Sequence, residues 1–398
     1  MRLERGFHQP WAPSKKRRGG RGGASMMSPA ESSGGAWRRT SVLSRVATAL
    51  WAASVAVAPC SAAGTIAGVA GTVANGEQVA ISGSGFGTGP VVVLFDDFEL
   101  GTDGSVILTG SGSARVGQWN ALGETKPTYS SASEVSGNLA FRADMSSHWL
   151  AYAEALLPVS TRDVFVSWNL FLPSGDNIPG EGTDEGTNWK QLWIQGQDSG
   201  DDDLVTPTIL GYTSFFINGN DNPYTKWITL NFSKGTWLRM FCWIKGGASS
   251  DGGVKFYEVT SGGIIARAND SSVSTLYAEG YFERVRVNGY GRVTSNSHPM
   301  FDDVYIAAGP AAQARVELGN DSSYYRATRL ATSTPTSWAD GQISATVRTG
   351  GFKAGEAVYL FVVTSDGVPS AGFPVTIGGS SSVEPPAVPD NLRRDDTR

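Results

Sequence analysis

Short stretches in which every second residue is hydrophobic recur through the chain from residue 64 to residue 378. Segments such as NWKQLWIQG (188–196) and TWLRMFCWIK (236–245) alternate with a period of two, which is typical of strands that bury one face. Gly-rich turns separate these segments, and apolar residues at helical spacing are scarce between them. The pattern predicts an all-β protein of antiparallel sandwiches with almost no helix.

The alternation also predicts which side chains leave the core. In NWKQLWIQG, Leu192 and Ile194 are expected to face the opposite sheet together with Lys190, and in YFERVRVNGYGR (281–292) Val285 and Val287 are expected to do so. Aromatic, amide and guanidinium groups on the other face suit a polysaccharide, because rings stack on sugars, amides bond hydroxyls and Arg pairs with carboxylates. The predicted substrate-binding residues are Trp189, Gln191, Trp193, Gln195, Arg284, Arg286 and Asn288.

A structural interpretation of the same residues stays open. Trp and Phe are common on sheet faces because they fit there, and Arg at alternate positions often marks a solvated strand. Loops or a second domain could equally cover the outward row. The pattern therefore predicts the face of each residue, and its role in binding is a hypothesis.

The chain opens with part of a small sandwich whose remaining strands do not follow directly. GTVANGEQVAISGSGFGTGP (71–90) supplies two short strands and a turn, and alternating strands with Gly turns return after Ala311. Neither part has enough strands to stand alone, so we expect the two to form one sandwich; a strand-rich linker before an independent C-terminal module is the alternative. Together, SGSGFG, SWADGQISATV and VYLFVVTSDGVPS resemble the IPT/TIG type of immunoglobulin-like domain.

The middle of the chain is then an inserted domain, bracketed by FDD at 95–97 and again at 301–303. Its strands resemble the concanavalin A-like lectin/glucanase jelly roll. The order GTWLRMFCWIK, DGGVKFYEV and FDDVYIA is similar to that of jelly-roll polysaccharide lyases of the alginate and glucuronan type and their non-catalytic relatives. The resemblance implies two stacked sheets with a groove for an extended glycan.

These observations predict five regions and an exported protein. Residues 1–45 are basic and precede the apolar run VATALWAASVAVA, which reads as a signal peptide and is too short to span a membrane. The expected location is secreted, periplasmic or on the cell surface. The regions are a leader with signal peptide (1–63), the first immunoglobulin-like part (64–90), the jelly roll (91–310), the second immunoglobulin-like part (311–378) and a disordered tail (379–398).

Charge and cysteine content narrow the partners. The chain carries −5 and the leader +8, so −13 remains on residues 64–398, and a nucleic-acid partner is not expected. Cys242 is the one cysteine after the leader, so we expect no internal disulfide and a core that is stable without one.

Candidate catalytic residues are fewer than candidate binding residues in the sequence. No predicted strand carries the alternating acids that glucanases of this fold use. A lyase needs a proton acceptor, a proton donor and a group that neutralises the uronate, for which Tyr290, His148 and Arg286 are the candidates. The lyase pattern of a His on the central strand is absent from WKQLWIQG, which puts catalysis in doubt.

Hard oxygen ligands recur at the two FDD brackets and suggest a structural Ca²⁺ ion. If the terminal strands of the middle domain pair, Asp97, Glu99, Asp302 and Asp303 converge, with Asp96 beside them. The equally weighted alternative is that these residues cap and pack the sandwich edge.

Three functions follow from these features. The first is a secreted or surface carbohydrate-binding protein that recognises an extended polysaccharide, with the immunoglobulin-like part as a spacer or docking module. The second is a polysaccharide lyase that cleaves a uronic-acid glycan by β-elimination. The third is a structural or adhesive surface protein.

Overall fold

The computed structural model describes residues 63–181, 188–196, 204–210, 213–218, 224–228, 230–276, 280–291 and 294–382. One 3₁₀ turn occurs among them, at Tyr324–Arg326, and the rest of the regular structure is strand. The strands are β1 (Thr65–Thr72), β2 (Gln78–Ser84), β3 (Val91–Asp96), β4 (Ala121–Leu122), β5 (Thr128–Ser130), β6 (Ala140–Arg142), β7 (Ala153–Thr161), β8 (Asp163–Phe171), β9 (Asn188–Gly196), β10 (Leu204–Leu210), β11 (Thr213–Asn218), β12 (Tyr224–Trp227), β13 (Leu238–Lys245), β14 (Gly252–Thr260), β15 (Gly263–Val273), β16 (Phe282–Gly291), β17 (Met300–Ala308), β18 (Arg315–Gly319), β19 (Leu330–Ala339), β20 (Gln342–Thr346), β21 (Ala357–Val363), β22 (Phe373–Thr376) and β23 (Ser380–Ser382).

Two antiparallel sheets form a jelly-roll β-sandwich, called here the large sandwich. The seven-stranded sheet has the order β12-β11-β10-β9-β16-β7-β4, and the eight-stranded sheet has the order β15-β14-β13-β8-β17-β6-β5, with β3 also paired to β17. The prediction of an all-β protein is confirmed. Because β3 and β17 pair, the two FDD segments lie side by side.

The inner faces of these two sheets form the main hydrophobic core. Leu192, Ile194, Val285 and Val287 enter it from the seven-stranded sheet, as the alternation predicts. The eight-stranded sheet contributes its own alternate residues, among them the buried free thiol of Cys242, and burial raises the pKa of this thiol far above its ordinary value. The cysteine therefore packs as a small hydrophobic residue.

A second group of strands, called here the small sandwich, combines both ends of the described chain. Its strand order is β22-β21-β18-β19-β20-β2-β1-β23, and β2 pairs with β20 along five residues. Ile81 of β2, Ile343 of β20, Leu318 of β18 and Val358 of β21 share one core. The segment before the jelly roll and the segment after it therefore share both a sheet and a core, while their assignment to the IPT/TIG type stays a prediction.

The small sandwich packs on the outer face of the eight-stranded sheet. All nine residues of β17 are buried, because one face of this strand contacts the main core and the other contacts the small sandwich. On the outer face, Phe165, Phe241 and Tyr305 cluster with Tyr324 and Phe361 of the small sandwich. The two sandwiches therefore share an apolar interface.

A buried ionic network lies within this interface. Arg315 donates to Glu317 at 2.9 Å and to the hydroxyl of Tyr324 at 2.7 Å. Arg239, from the eight-stranded sheet, donates to Thr332 Oγ1 at 2.6 Å. Burial alone would raise the pKa of Glu317, but the two guanidinium groups hold it below its ordinary value.

Several sequence expectations differ from the structure or lie outside the described residues. β23 lies inside the segment (379–398) expected to be a disordered tail. Residues 1–62 and 383–398 lie outside the description, with nearly all of the predicted leader. No helix in the described part of the chain has the length and hydrophobicity of a membrane span.

We predict that Ile81→Ala lowers the free energy of unfolding by about 2–5 kcal/mol, because it removes a fully buried side chain from the shared core of the small sandwich. Denaturant unfolding measures the change. The exposed neighbour variant Gln78→Ala is the control and should change stability by less than about 0.5 kcal/mol. Equal effects of the two variants would show that β2 contributes nothing to this core.

Candidate functional site

An irregularity in β9 determines which of its side chains reach the outer face of the seven-stranded sheet. The register against β10 shifts between Ile194, opposite Val205, and Lys190, opposite Thr208, so β9 has one residue more than its neighbour there. Such a β-bulge interrupts the alternation. Trp189 consequently lies in the main core with no exposed surface, and Lys190 lies on the outer side, against Tyr290. This is the reverse of the sequence expectation for these two residues.

The adjacent strand β16 is irregular at the same level. Asn288 has a φ of 55°, which asparagine tolerates better than most residues, and its side chain turns inward. Its Oδ1 accepts from Trp189 Nε1 at 2.8 Å and its Nδ2 donates to the carbonyl of Ala151 at 2.8 Å. At Gly289, a Cβ would lie 2.6 Å from that of Trp193, so this position needs glycine. Asn288 is thus a buried structural residue away from the outer face.

Arg286 forms the centre of the contacts on the outer face. Its Nε donates to Glu154 Oε2 at 2.7 Å, which ties β16 to β7. The guanidinium carbon lies 4.2 Å from the ring centre of Tyr152 and 5.3 Å from that of Trp193, which is opposite Arg286 on β9. Arg286 is therefore held between two aromatic rings with its charge partly exposed.

Tyr290 forms the second part of this arrangement. Its ring centre is 5.0 Å from that of Trp149 and 6.1 Å from that of Trp193, both edge to face. Lys190 Nζ, opposite on β9, lies 5.5 Å from the Tyr290 ring centre. We call the set the outer-face cluster; it consists of Trp149, Tyr152, Glu154, Lys190, Trp193, Arg284, Arg286 and Tyr290.

The outer-face cluster carries more positive than negative charge. Lys190, Arg284 and Arg286 stand beside Glu154, which lies 3.7 Å from Arg284 Nη1, and Glu283 accepts from Arg284 Nη2 at 2.9 Å. The cluster is thus a cationic patch on a chain whose net charge is negative.

Three buried polar atoms on this face have no hydrogen-bond partner among the residues that the structure describes. They are Trp193 Nε1, Gln195 Oε1 and Arg284 Nε. Trp193 and Gln195 are each 9% exposed. An unmade hydrogen bond in such a position is costly, so these atoms are available to a hydroxyl or carboxylate that reaches them.

His148 adjoins the cluster through Trp149. Trp149 Nε1 faces His148 Nε2 at 3.0 Å, and the amide of Leu150 faces Nδ1 at 3.1 Å. A neutral imidazole accepts at one nitrogen, so only one of these contacts is a hydrogen bond at a time. The other histidine in the described part of the chain is His298. Its Nδ1 lies 3.0 Å from Asp176 Oδ2, in a loop region between strands.

The structure thus brings together part of the predicted site. Arg284, Arg286, Tyr290, Trp193 and Gln195 come from adjacent positions of β9 and β16. Trp189 and Asn288 lie inward, and Gln191 Oε1 accepts from the core residue Trp168 at 3.4 Å. The sequence reasoning missed Lys190, Tyr152, Trp149 and Glu154, of which only Glu154 had a signal, as the acid in AYAEA on the strand beside β16.

The carboxylates of the two FDD segments are engaged by protein donors. Asp302 Oδ2 accepts from the amides of Val135 and Ser136, and its Oδ1 accepts from the amide of Asp303. Asp97 pairs with Arg115 at 2.9 Å. Glu99 Oε1 accepts from two amides of the 138–139 segment.

Among the described residues, no group of three or more acidic, His or Cys side chains is arranged to hold a metal ion. Calcium binding at these brackets stays a prediction. The hydrogen bonds at each carboxylate account for the repeated aspartates as groups that fix neighbouring backbone segments.

Comparison with known proteins gives similarity at the level of solved structures. No protein-family model matches the chain, and no curated protein matches it in sequence. The endo-β-1,4-glucuronan lyase of the fungus Trichoderma reesei is similar over 53% of this chain and 98% of its own, with 16% identity and a TM-score of 0.37. Alginate lyase vAL-1 from Chlorella virus is similar over 48% of this chain and 93% of its own, with 12% identity and a TM-score of 0.34. The PL-14 alginate lyase of Aplysia kurodai is similar over 46% and 87%, with 9% identity and a TM-score of 0.34. At these identities the likeness concerns the fold alone.

We predict that protonation of Asp96 makes stability depend on pH. Burial raises its pKa to about 7, although Trp119 Nε1 and the amide of Phe98 donate to it. The folded protein therefore holds this proton to higher pH than the unfolded chain, whose aspartates titrate near about 3.9. The resulting stabilisation is fully present below about pH 4 and is lost as the pH rises through about 7.

Urea unfolding of the parent and of Asp96→Asn between about pH 4 and pH 7.5 tests this linkage, with a slope of at most about 1.4 kcal/mol per pH unit from one proton. The stability of the parent relative to the variant should fall across that range. The exposed-residue variant Asp103→Asn is the control and should run parallel to the parent. Parallel curves for Asp96→Asn as well would contradict the raised pKa.

Proposed function

We propose that this protein binds an acidic, uronate-containing polysaccharide at the outer-face cluster. The observation that carries the proposal is the position of Arg286 against the rings of Tyr152 and Trp193, with a second cation, Lys190, 5.5 Å from the ring centre of Tyr290. Aromatic rings offer stacking surfaces to sugars, and the guanidinium and ammonium groups offer charge-assisted hydrogen bonds to carboxylates.

The spread of these groups favours an extended ligand. The cations lie on neighbouring strands at successive register positions, with Arg284 opposite Gln195, Arg286 opposite Trp193 and Tyr290 opposite Lys190. Arg284 and Arg286 of β16 and Lys190 of β9 thus follow the seam between these two strands, so that several acidic sugars of one chain can each meet a positive group. We further propose that the protein is exported and that the small sandwich serves as a spacer or docking module.

A second candidate function is a polysaccharide lyase, and the opposition of Lys190 and Tyr290 favours it. In β-elimination a base removes the proton at C5 of the uronate, a C4–C5 double bond forms, and the C4–O bond breaks as the leaving oxygen takes a proton. Tyr290 can serve as the proton-transfer group, Lys190 lies within 5.5 Å of its ring centre, and Arg286 can neutralise the carboxylate. His148, whose Nε2 lies 3.0 Å from Trp149 Nε1, is a further candidate for proton transfer.

We predict that Lys190→Ala weakens binding of polyglucuronate or alginate by about tenfold, because it removes a charge-assisted contact. Binding of a neutral glucan should not change. The difference between the parent and the variant should shrink as salt is added, since salt screens partly exposed charges. Calorimetric titration measures the affinities, and Lys353→Ala, an exposed lysine of the small sandwich, is the matched control. If the parent binds no acidic glycan, the proposed function is wrong.

We predict for the lyase candidate that Tyr290→Phe abolishes product while leaving affinity within about threefold, because proton transfer contributes in the transition state and little in the bound ground state. Ultraviolet absorbance of the unsaturated uronate measures the product. Trp193→Ala should instead weaken affinity, by about 1–3 kcal/mol if its stacking resembles base stacking on aromatic side chains. Absence of product from the parent, with binding intact, leaves the binding function and excludes the lyase.

A further inference from the structure

A cleft lies on the side of the large sandwich opposite the outer-face cluster, between the eight-stranded sheet and the small sandwich. Its volume is about 250 Å³. Neighbouring residues of three adjacent strands form its floor, with Arg239 of β13 opposite Asn169 of β8 and Val259 of β14. Arg329 and Phe352 of the small sandwich line the other wall.

Arg239 is a buried cation whose hydrogen-bonding capacity is only partly used. The residue is 6% exposed, and its Nη2 donates to Thr332 Oγ1 at 2.6 Å. Its Nε and Nη1 are buried, and no group in the described part of the chain accepts a hydrogen bond from them. Because a buried charged donor without a partner costs more than an ordinary unmade hydrogen bond, an acceptor that reaches this side chain gains free energy.

Two buried acids lie near Arg239, Glu317 and Asp303, and each is shared with another arginine. Asp303 interacts electrostatically with both Arg239 and Arg348. Glu317 lies 3.5 Å from Arg239 Nη2 but is shared with Arg315, which is closer at 2.9 Å.

Among the described residues that line the cleft, Arg329 is a second cation and none is acidic. The Arg329 side chain is 50% exposed and its Nη2 donates to Glu356 Oε2 at 3.0 Å. Its guanidinium carbon lies 4.7 Å from the ring centre of Phe352, so Arg329 marks the open side of the cleft.

We propose that this cleft binds a small carboxylate with a ring-sized body, of the hexuronate class. The two arginines supply the carboxylate contacts, the Asn169 amide can meet hydroxyl groups, and the rings of Trp237 and Phe352 supply flat apolar walls. The volume is near the lower end of small-molecule pockets, about 300 Å³, which fits one sugar ring and not a chain. This site faces away from the outer-face cluster and rests on none of its residues.

Calorimetric titration of the full chain with D-glucuronate tests the site, with D-glucose as the ligand of the same body without the carboxylate. We expect one D-glucuronate per chain and no binding of D-glucose. Arg329→Ala should weaken D-glucuronate binding at least about tenfold, because it removes one of two charge contacts and leaves the buried Arg239 network intact. Val135→Trp places a large side chain in the cleft from its half-buried rim and should abolish binding.

Two further variants separate the cleft from other sites. Arg326→Ala removes a nearby exposed arginine that does not line the cleft and should leave the affinity unchanged. Lys190→Ala alters the outer-face cluster and should also leave it unchanged. The proposal is overturned if the parent binds no D-glucuronate, if D-glucose binds equally well, or if Arg329→Ala has no effect. It is also overturned if Lys190→Ala abolishes binding while Val135→Trp leaves it intact. Unfolding temperatures show whether each variant is folded.

Discussion

Burial of both faces of β17, within the eight-stranded sheet, limits where a ligand can reach the large sandwich. One face of β17 packs in the main core and the other packs under the small sandwich, so none of its nine residues is exposed. The small sandwich in turn needs strands from before and after the jelly roll, because β2 and β20 pair within it. The outer-face cluster lies on the other sheet of the large sandwich, on β9, β16 and β7.

The interface between the eight-stranded sheet and the small sandwich includes buried charged groups. Their contribution to the free energy of folding differs from that of apolar contacts. Arg315, Glu317 and Tyr324 form a nearly closed set of hydrogen bonds at the centre. A buried ion pair adds little net stability over apolar packing, but removal of one member is costly, so the network favours one docking arrangement over others. Arg239 donates to this network through Nη2, while its Nε and Nη1 have no partner among the described residues. The floor of the adjacent cleft therefore carries a positive charge.

Much of this architecture follows from the period-two pattern, and the exceptions have local causes. Alternation correctly separates Val285 and Val287 from Arg286 on β16, and it places Arg239 and Phe241 on the outer side of β13. It cannot show that a second sandwich covers those outer residues, since covering depends on contacts between segments distant in the chain. It also fails at Trp189 and Lys190, because one extra residue in β9 reverses the faces, and a bulge has no strong signature in a single sequence.

The positive charge of the outer-face cluster acts on a ligand only at short range. Residues 64–398 carry a net charge of −13, which opposes the approach of a polyanion, while the outer-face cluster is cationic. At physiological ionic strength the Debye length is about 8 Å, so the distant acids are screened and the partly buried arginines act on a bound carboxylate with less screening. Under the proposed function, an acidic glycan on this surface depends on contacts with Arg286 and its neighbours and gains little from long-range attraction. Binding of this kind discriminates by the fit of carboxylates to fixed cations, which a diffuse positive surface would not do.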